Sequence, residues 1–407
     1  MNRYANMLLF GIIVILMLFL AACTAVDHAE KDQADITSPQ SSEKPQSTPD
    51  PVHDAAQPES PKPPERAEPI VHQATLAAVG DIIVYSSMWR DAATENGFDF
   101  LYMFEHVKQY FAEADVVFAN QETMIGGESL GLSDYPRFNS PFAIADALKE
   151  IGVSIVSIAN NHTLDRGVQA VENGAAYWNE LGIPYTGAYP SEEDAKQIRT
   201  IEAGGIRFAF LAYTYGTNGI PLPPDKPWIV NLLDEEKIKS DIASAKELAD
   251  IVVVSYHFGN EYERMPNEAQ KHWAQIAADS GAHIVLGHHP HVLQPLEWRQ
   301  QPNGERTLVA YSLGNFLAAQ EGIYKDLGGI LLVEIEKTVT DEDTSITIHT
   351  PDFIPTWIHK KNWRDYRIIP LHQVSEDVLP NARKHEEEMI SHLRTWMPDL
   401  NFPYSND

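Results

Sequence analysis

The 407-residue sequence contains a single cysteine, Cys23, so no internal disulfide can staple the fold. Positive charge is scarce as well: 30 Lys and Arg stand against 58 Asp and Glu, a formal net charge of -28. Binding along a phosphate backbone needs a positive field, so this balance excludes nucleic acid as the main partner. It leaves room for phosphate handled locally by metal ions. Internal repeats are missing too, which excludes a solenoid or propeller. Apolar material is plentiful: 43% hydrophobic residues rule out a wholly disordered chain. The length accommodates one large domain or two ordinary ones around a sizeable core.

Residues 1–22 read as an export signal. Arg3 supplies the positive start, Met7 to Ala22 is an apolar run, and Leu20-Ala21-Ala22-Cys23 resembles the bacterial lipoprotein signal, in which the cysteine is lipidated. The alternative is an uncleaved membrane anchor, since the run falls just short of a spanning helix. Both readings put the remainder on the extracytoplasmic face of the cell membrane, lipid-anchored through Cys23 in the first. Residues 23–73 are rich in Pro, Ser, Gln, Asp and Glu, densest at Pro61-Lys62-Pro63-Pro64. Such a stretch buries no hydrophobic face and predicts a disordered, extended linker.

A folded domain is expected over 74–370, with a C-terminal helical extension over 371–407. Strand candidates are Thr75–Val79, Asp115–Ala119, Val153–Ala159, Ile206–Ala212, Asp250–Ser255, Ala282–Leu286 and Thr307–Tyr311. Helical patterns lie between them, at 100–112, 141–151, 166–181, 234–248 and 267–280, and a closing helix is expected over 376–397. Strands alternating with helices indicate an α/β domain with a largely parallel sheet. The runs at 328–336 and 345–350 have no helical spacer and predict antiparallel additions.

Each strand candidate but one is followed by polar residues: Gly80-Asp81, Asn120-Gln121-Glu122, Asn160-Asn161-His162, His257, Gly287-His288-His289-Pro290-His291 and Ser312-Leu313-Gly314-Asn315. Side chains just beyond the carboxyl ends of parallel strands converge on one crevice. Oxygen and imidazole donors without thiolate suit Zn, Mn, Fe or Mg. Taken singly, each motif also reads as a turn, a helix cap or a solvated loop. Their number and placement point to a metal or anion site.

These motifs, with Ala159-Asn-Asn-His-Thr-Leu-Asp-Arg-Gly167, His257-Phe-Gly-Asn-Glu-Tyr262 and Gly287-His-His-Pro-His-Val-Leu-Gln294, resemble the CapA family of capsule and poly-γ-glutamate synthesis over roughly 75–335. The resemblance implies a calcineurin-like metallophosphoesterase fold, a four-layer α/β/β/α sandwich with two mixed sheets between helices. It implies one or two divalent metal ions, a poly-γ-glutamate or other envelope polymer as partner, and membrane-bound synthase subunits nearby. Carried over by position, Asp81 is the first metal-binding aspartate and Glu122 a bridging carboxylate. Asn161 is the carboxamide ligand of a second metal, and His162 the imidazole acting on the reacting phosphate. His257, His289 and His291 are the later histidine ligands. His288, Asn120, Asp165 and Asn315 are further candidates. The pattern departs at Ile83, where a histidine belongs, and at Asn120 and Glu122, where an aspartate does. A single-metal site is therefore open beside a dinuclear one.

Two roles are open. One is metal-dependent hydrolysis of a phosphoester in an envelope polymer or precursor, with an amide hydrolase or transferase as a variant. The other is a non-catalytic accessory that binds the polymer or supports the synthase, against the repulsion of its own negative charge. In either case imidazoles bind metal only when neutral, so loading is expected to weaken as pH falls through about 6.

Overall fold

The computed structural model describes residues 68–404. The export signal, Cys23 and the linker up to residue 67 lie outside the described residues. Two sheets carry the fold. The first runs in the order Arg364–Pro370, Asp352–Lys361, Leu327–Val339, Ile70–Ile82, Val116–Gln121, Ile155–Ser157, Tyr185–Thr186. Asn315–Leu317 pairs beside Ile70–Ile82, and Thr344–Ile348 beside Leu327–Val339. The second runs Leu293–Gln300, Arg306–Leu313, Ile284–His288, Ile251–His257, Ile206–Thr214, Arg199–Ala203. The first sheet is parallel from Ile70–Ile82 to its edge at Tyr185–Thr186 and antiparallel on the opposite flank, whereas the second is parallel at its centre with an antiparallel strand at each edge.

Alternation along the strands makes the layers. Ala77 and Val79 share an apolar cluster with the helix residues Ala145, Leu148 and Trp178. Their neighbours Leu76 and Ala78 point the other way, into a cluster with Phe208, Val253 and Leu286 of the second sheet. Val252 and Val254 face outward again, against Ile238, Ile242, Ala274 and Ala277. The period of two thus yields helix, sheet, sheet, helix. This is the expected four-layer sandwich with mixed sheets. The helices end as their sequences dictate: the Asp234 side chain accepts the Lys237 N–H at 2.8 Å, and Asn267 and Gln270 form a reciprocal capping box.

The structure differs from the sequence reading at several edges. The first strand begins at Ile70, not Thr75, because Ile70 to Gln73 pair with Val339 to Glu336. A long partner strand imposes the ladder on residues whose composition reads as linker. The 100–112 pattern resolves into a 3-10 turn, Leu101–Phe104, and a short helix, Lys108–Ala112. The closing helix is shorter, Ala382–Leu393, and is no mere appendage. Met389, Leu393, Met397, Leu400 and Phe402 belong to the cluster between the sheets. The strands Leu293–Gln300 and Asp352–Lys361 lie outside the expected set, and Pro295 and Pro355 inside them hide the signal. Among the described residues no helix is long and apolar enough to cross a membrane.

Candidate metal centre

The carboxyl ends of the parallel strands of both sheets meet, and the polar residues beyond them meet with them. Close backbone approach is needed there, and two glycines permit it. A Cβ on Gly80 would stand 2.0 Å from the Gly314 carbonyl oxygen, and one on Gly287 2.0 Å from that of Tyr311. Beyond Gly287 the chain turns so sharply that His289 and His291 adopt φ values of 95° and 57°. Positive φ on an imidazole residue costs energy, and here it aims two rings at one point.

Asp81, fully buried, accepts hydrogen bonds from Asn120 Nδ2 at 2.8 Å and the His289 N–H at 3.1 Å. His291 Nδ1 lies 3.0 Å from its Oδ2, and His288 Nδ1 3.6 Å from its Oδ1. Glu122, equally buried, has the Nε2 atoms of His257 and His291 each 3.7 Å from Oε1. The His257 Nε2 also lies 2.8 Å from Asn161 Oδ1. Ligand atoms of Glu122, His289 and His291 lie within 4.8 Å of one another, as do those of Asp81, Glu122 and His257. Glu122 is common to both groups, the placement a bridging carboxylate requires.

The hydrogen-bond inventory says what these donors are for. Both Glu122 oxygens, Asn120 Oδ1, both His288 nitrogens and His289 Nδ1 are buried without a hydrogen-bond partner. Unpaired buried polar atoms are expensive, and so many around one point fit a cation. The all oxygen-and-nitrogen donor set suits a divalent metal.

The electrostatics agree. Burial alone would raise the Asp81 carboxyl, yet His288 and His291 outweigh it and hold it well below the usual range. Burial drives the Glu122 carboxyl well above its usual range, with His291 opposing and Asp81 adding to the rise. Burial would likewise depress His291, but Glu122 and Asp81 lift it to about 9. Burial, reinforced by the neighbouring His291, takes His289 down to about 3, and burial with His289 depresses His257. His291 is thus a proton carrier between two acids, whereas His257 and His289 are neutral ligands in waiting.

A cavity of about 240 Å³ opens beside this cluster, lined by Arg137, Asn161, His162, Asp165, Asn218 and Glu261 among others. His162 Nδ1 lies 2.7 Å from Asp165 Oδ2, which also accepts the Phe138 N–H at 2.8 Å. A carboxylate so placed fixes the Nδ1–H tautomer and leaves Nε2 free for proton transfer. The larger hollow of about 660 Å³ between Trp298 and Ile346 holds none of the clustered donors.

Asp81, Asn120, Glu122, Asn161, His257, His288, His289 and His291 are therefore brought together, with His162 and Asp165 adjoining. Asn315 pairs in register with Asp81; its amide nitrogen donates to Gln320 Oε1 and the Lys325 carbonyl, and its Oδ1, like that of Asn120, is buried without a hydrogen-bond partner. Ile83 packs in the apolar cluster under the helices. Of the aromatic residues near the motif loops, Tyr213 donates to Asp241 and Phe258 is core, whereas Tyr135, Tyr215 and Tyr262 stand exposed at the rim. The sequence reading passed over Asn218, whose Oδ1 accepts from Asn161 Nδ2 at 3.2 Å and whose Nδ2 lies 3.4 Å from His162 Nδ1. It comes after the strand Ile206–Thr214, in Tyr215-Gly216-Thr217-Asn218, so the strand-end signal that found the others would have found it.

The profile of the bacterial capsule synthesis protein family PGA_cap matches residues 75–320. The capsule biosynthesis protein CapA of Bacillus anthracis is 30% identical over 271 residues, 63% of this chain and 63% of its own length. The PGA biosynthesis protein CapA of Bacillus subtilis is 30% identical over 302 residues, 72% of this chain and 75% of its own. Among solved structures, a 5'-nucleotidase precursor from Thermus thermophilus shares 14% identity at a TM-score of 0.37, covering 79% of this chain and 58% of that one.

Proposed function

The chain belongs to the bacterial capsule synthesis protein family PGA_cap, and from that membership we propose that it acts in making or exporting a capsular polyglutamate polymer, through a metal-dependent phosphoester hydrolase site. The relatives' names support the pathway. The site reading rests on one observation: buried ligand atoms of Asp81, Glu122, His257, His289 and His291, with those of Glu122 and His289 Nδ1 lacking any hydrogen-bond partner, gather beside an open cavity. Asp81, Glu122, Asn161, His257, His289 and His291 would hold the metal, with His288 in reserve. A divalent cation bound there supplies Lewis-acid charge to a phosphoryl oxygen. His162, oriented by Asp165, exchanges a proton with the reacting group at Nε2. Asn218 and Asn161 hold each other at the boundary between the cluster and the cavity.

Elemental analysis of the purified protein tests the metal: a retained transition metal that His289→Ala with His291→Ala releases supports the site, and equal, near-zero metal in both removes it. Turnover of a generic phosphodiester with Mn or Zn, abolished by Asp81→Asn, supports the enzyme. The accessory reading is favoured by Ile83, which puts an apolar core residue where the phosphoesterase pattern has a histidine. Polymer secretion lost in Asp81→Asn, with no turnover in the wild type, selects it. Lipid attachment through Cys23 at the outer face of the membrane belongs to the proposal, and Cys23→Ser is expected to move the protein from the membrane to the soluble fraction.

A further inference from the structure

Of the arginines Arg137, Arg166, Arg207 and Arg264, three are spent. Arg166 donates to the carbonyls of Gly131 and Leu130 at 2.8 and 2.7 Å and to Ser133 Oγ at 2.7 Å. Arg207 pairs with Glu202 at 2.9 Å, and Arg264 with Glu388 at 2.7 Å. The guanidinium of Arg137 makes no hydrogen bond or ion pair among the described residues. It lines the cavity that His162 lines.

The loop that presents it is tightly held. Ser133 and Asn139 exchange backbone hydrogen bonds of 3.1 and 3.0 Å. The Asn139 side chain accepts from the Gly126 N–H at 2.8 Å and donates to the Gly127 and Gly131 carbonyls. Asp134 accepts from the backbone N–H and the hydroxyl of Ser86. Phe138, the residue next to Arg137, donates its N–H to Asp165 and sets its ring edge-on to that of His162, with centroids 4.8 Å apart. The held backbone fixes where Arg137 leaves the loop, so binding a ligand orders its side chain but not the loop that carries it. Guanidinium matches carboxylate and phosphate oxygens two at a time.

We infer that Arg137 is a specificity-determining residue that binds an oxyanion of the ligand, carboxylate or phosphate, adjacent to the group that reacts. This rests on the cavity being the substrate site under the proposed function. Glu261 lines the same cavity and opposes an anion there, so ligand binding reports the balance of the two. With a net charge of -28, indiscriminate attraction of anions by the surface is excluded as the source of any such binding.

The test is calorimetric titration of the full chain with γ-glutamylglutamate, with its fully amidated analogue, and with methyl phosphate. The first and third arms separate a carboxylate from a phosphate source. Arg137→Ala is expected to weaken the anion that binds by roughly ten- to a hundredfold, the range of a lost charge-assisted hydrogen bond. Arg137→Lys weakens it less, Glu261→Gln tightens it, and the amidated analogue is indifferent to all three. Arg137 is exposed and unpaired, so its variants should melt as the wild type does. Unchanged binding in Arg137→Ala, an equal loss for the amidated analogue, or no binding of either anion to the wild type overturns the inference. The underlying reading fails separately: absence of turnover with Arg137-dependent binding intact removes the hydrolase and leaves the anion subsite.

Discussion

Glu122→Gln should leave the metal-free protein almost unchanged and abolish its response to metal. Glu122 is fully buried, neither carboxyl oxygen has a hydrogen-bond partner, and burial with the nearby Asp81 pushes its pKa well above the carboxylate range. Burial thus works against the charged carboxylate when no metal is bound, and glutamine is nearly isosteric with the carboxyl, so the cost should stay within about 1 kcal/mol. With metal the two differ, because a neutral amide cannot replace an anionic ligand shared by both donor groups. At metal concentrations about 100 times Kd, binding stabilises the wild type by about 2.7 kcal/mol. Unfolding a chain of this size gains on the order of 0.7 kcal/mol per kelvin, so Tm should rise by about 4 °C. A hundredfold affinity loss in the variant would reduce that to under about 1 °C. Differential scanning calorimetry of both proteins with and without Mn or Zn, at fixed pH, measures this. The same metal-induced rise in both would refute the central role of Glu122. A metal-free variant melting many degrees lower would show that the ion pair with His291 holds the site together.

The pH response should depart from that of an ordinary imidazole. Glu122 and Asp81 lift His291 to about 9, so metal binding must displace its proton, and apparent affinity should climb about tenfold per pH unit towards 9 instead of levelling above 6. Calorimetry in buffers of differing ionisation enthalpy counts the proton released, and none released at pH 7.5 contradicts the assignment. In the metal-free protein the sign is opposite: the stability that the raised His291 contributes is complete below about 6.5 and is lost as pH rises through about 9. Asp165→Asn should lower turnover by about a hundredfold or more by freeing the His162 tautomer, while metal content stays constant. His283, a partly buried residue outside the site, is held by burial at about 4 and accepts the Val252 N–H at Nδ1, 3.0 Å away. Between pH 6.5 and 4 the unfolded chain binds a proton there that the folded one refuses, so stability falls on acidification. Its share is at most about 3 kcal/mol before its partial exposure is discounted. His283→Asn, which keeps an acceptor for Val252, should flatten that slope in urea titrations.

The centre of the fold was legible because its signals are local. Apolar runs such as Ile251 to Val254 alternate between two cores, and Asp234 and Asn267 announce their helices. The donors were legible for a topological reason: parallel strands deliver the residues at their carboxyl ends to one edge, so Asp81, Glu122, His257 and His289 could be proposed as neighbours without coordinates. The flanks were not, because antiparallel pairing is set by the partner. Ile70 to Gln73 become strand only through Val339 to Glu336, and Pro355 sits in a ladder beside Gly329.

Residue identities, then, decide which strands exist and which ends carry oxygen and imidazole donors. Tertiary structure alone decides how those donors share charge. Whether an imidazole titrates near 9 or near 3 depends on two carboxylates from distant strands, and His291 and His289, two residues apart, part company on that account. It also decides that Arg166 spends its guanidinium on a loop while Arg137 keeps its own, because hydrogen bonds are matters of distance that no local pattern records.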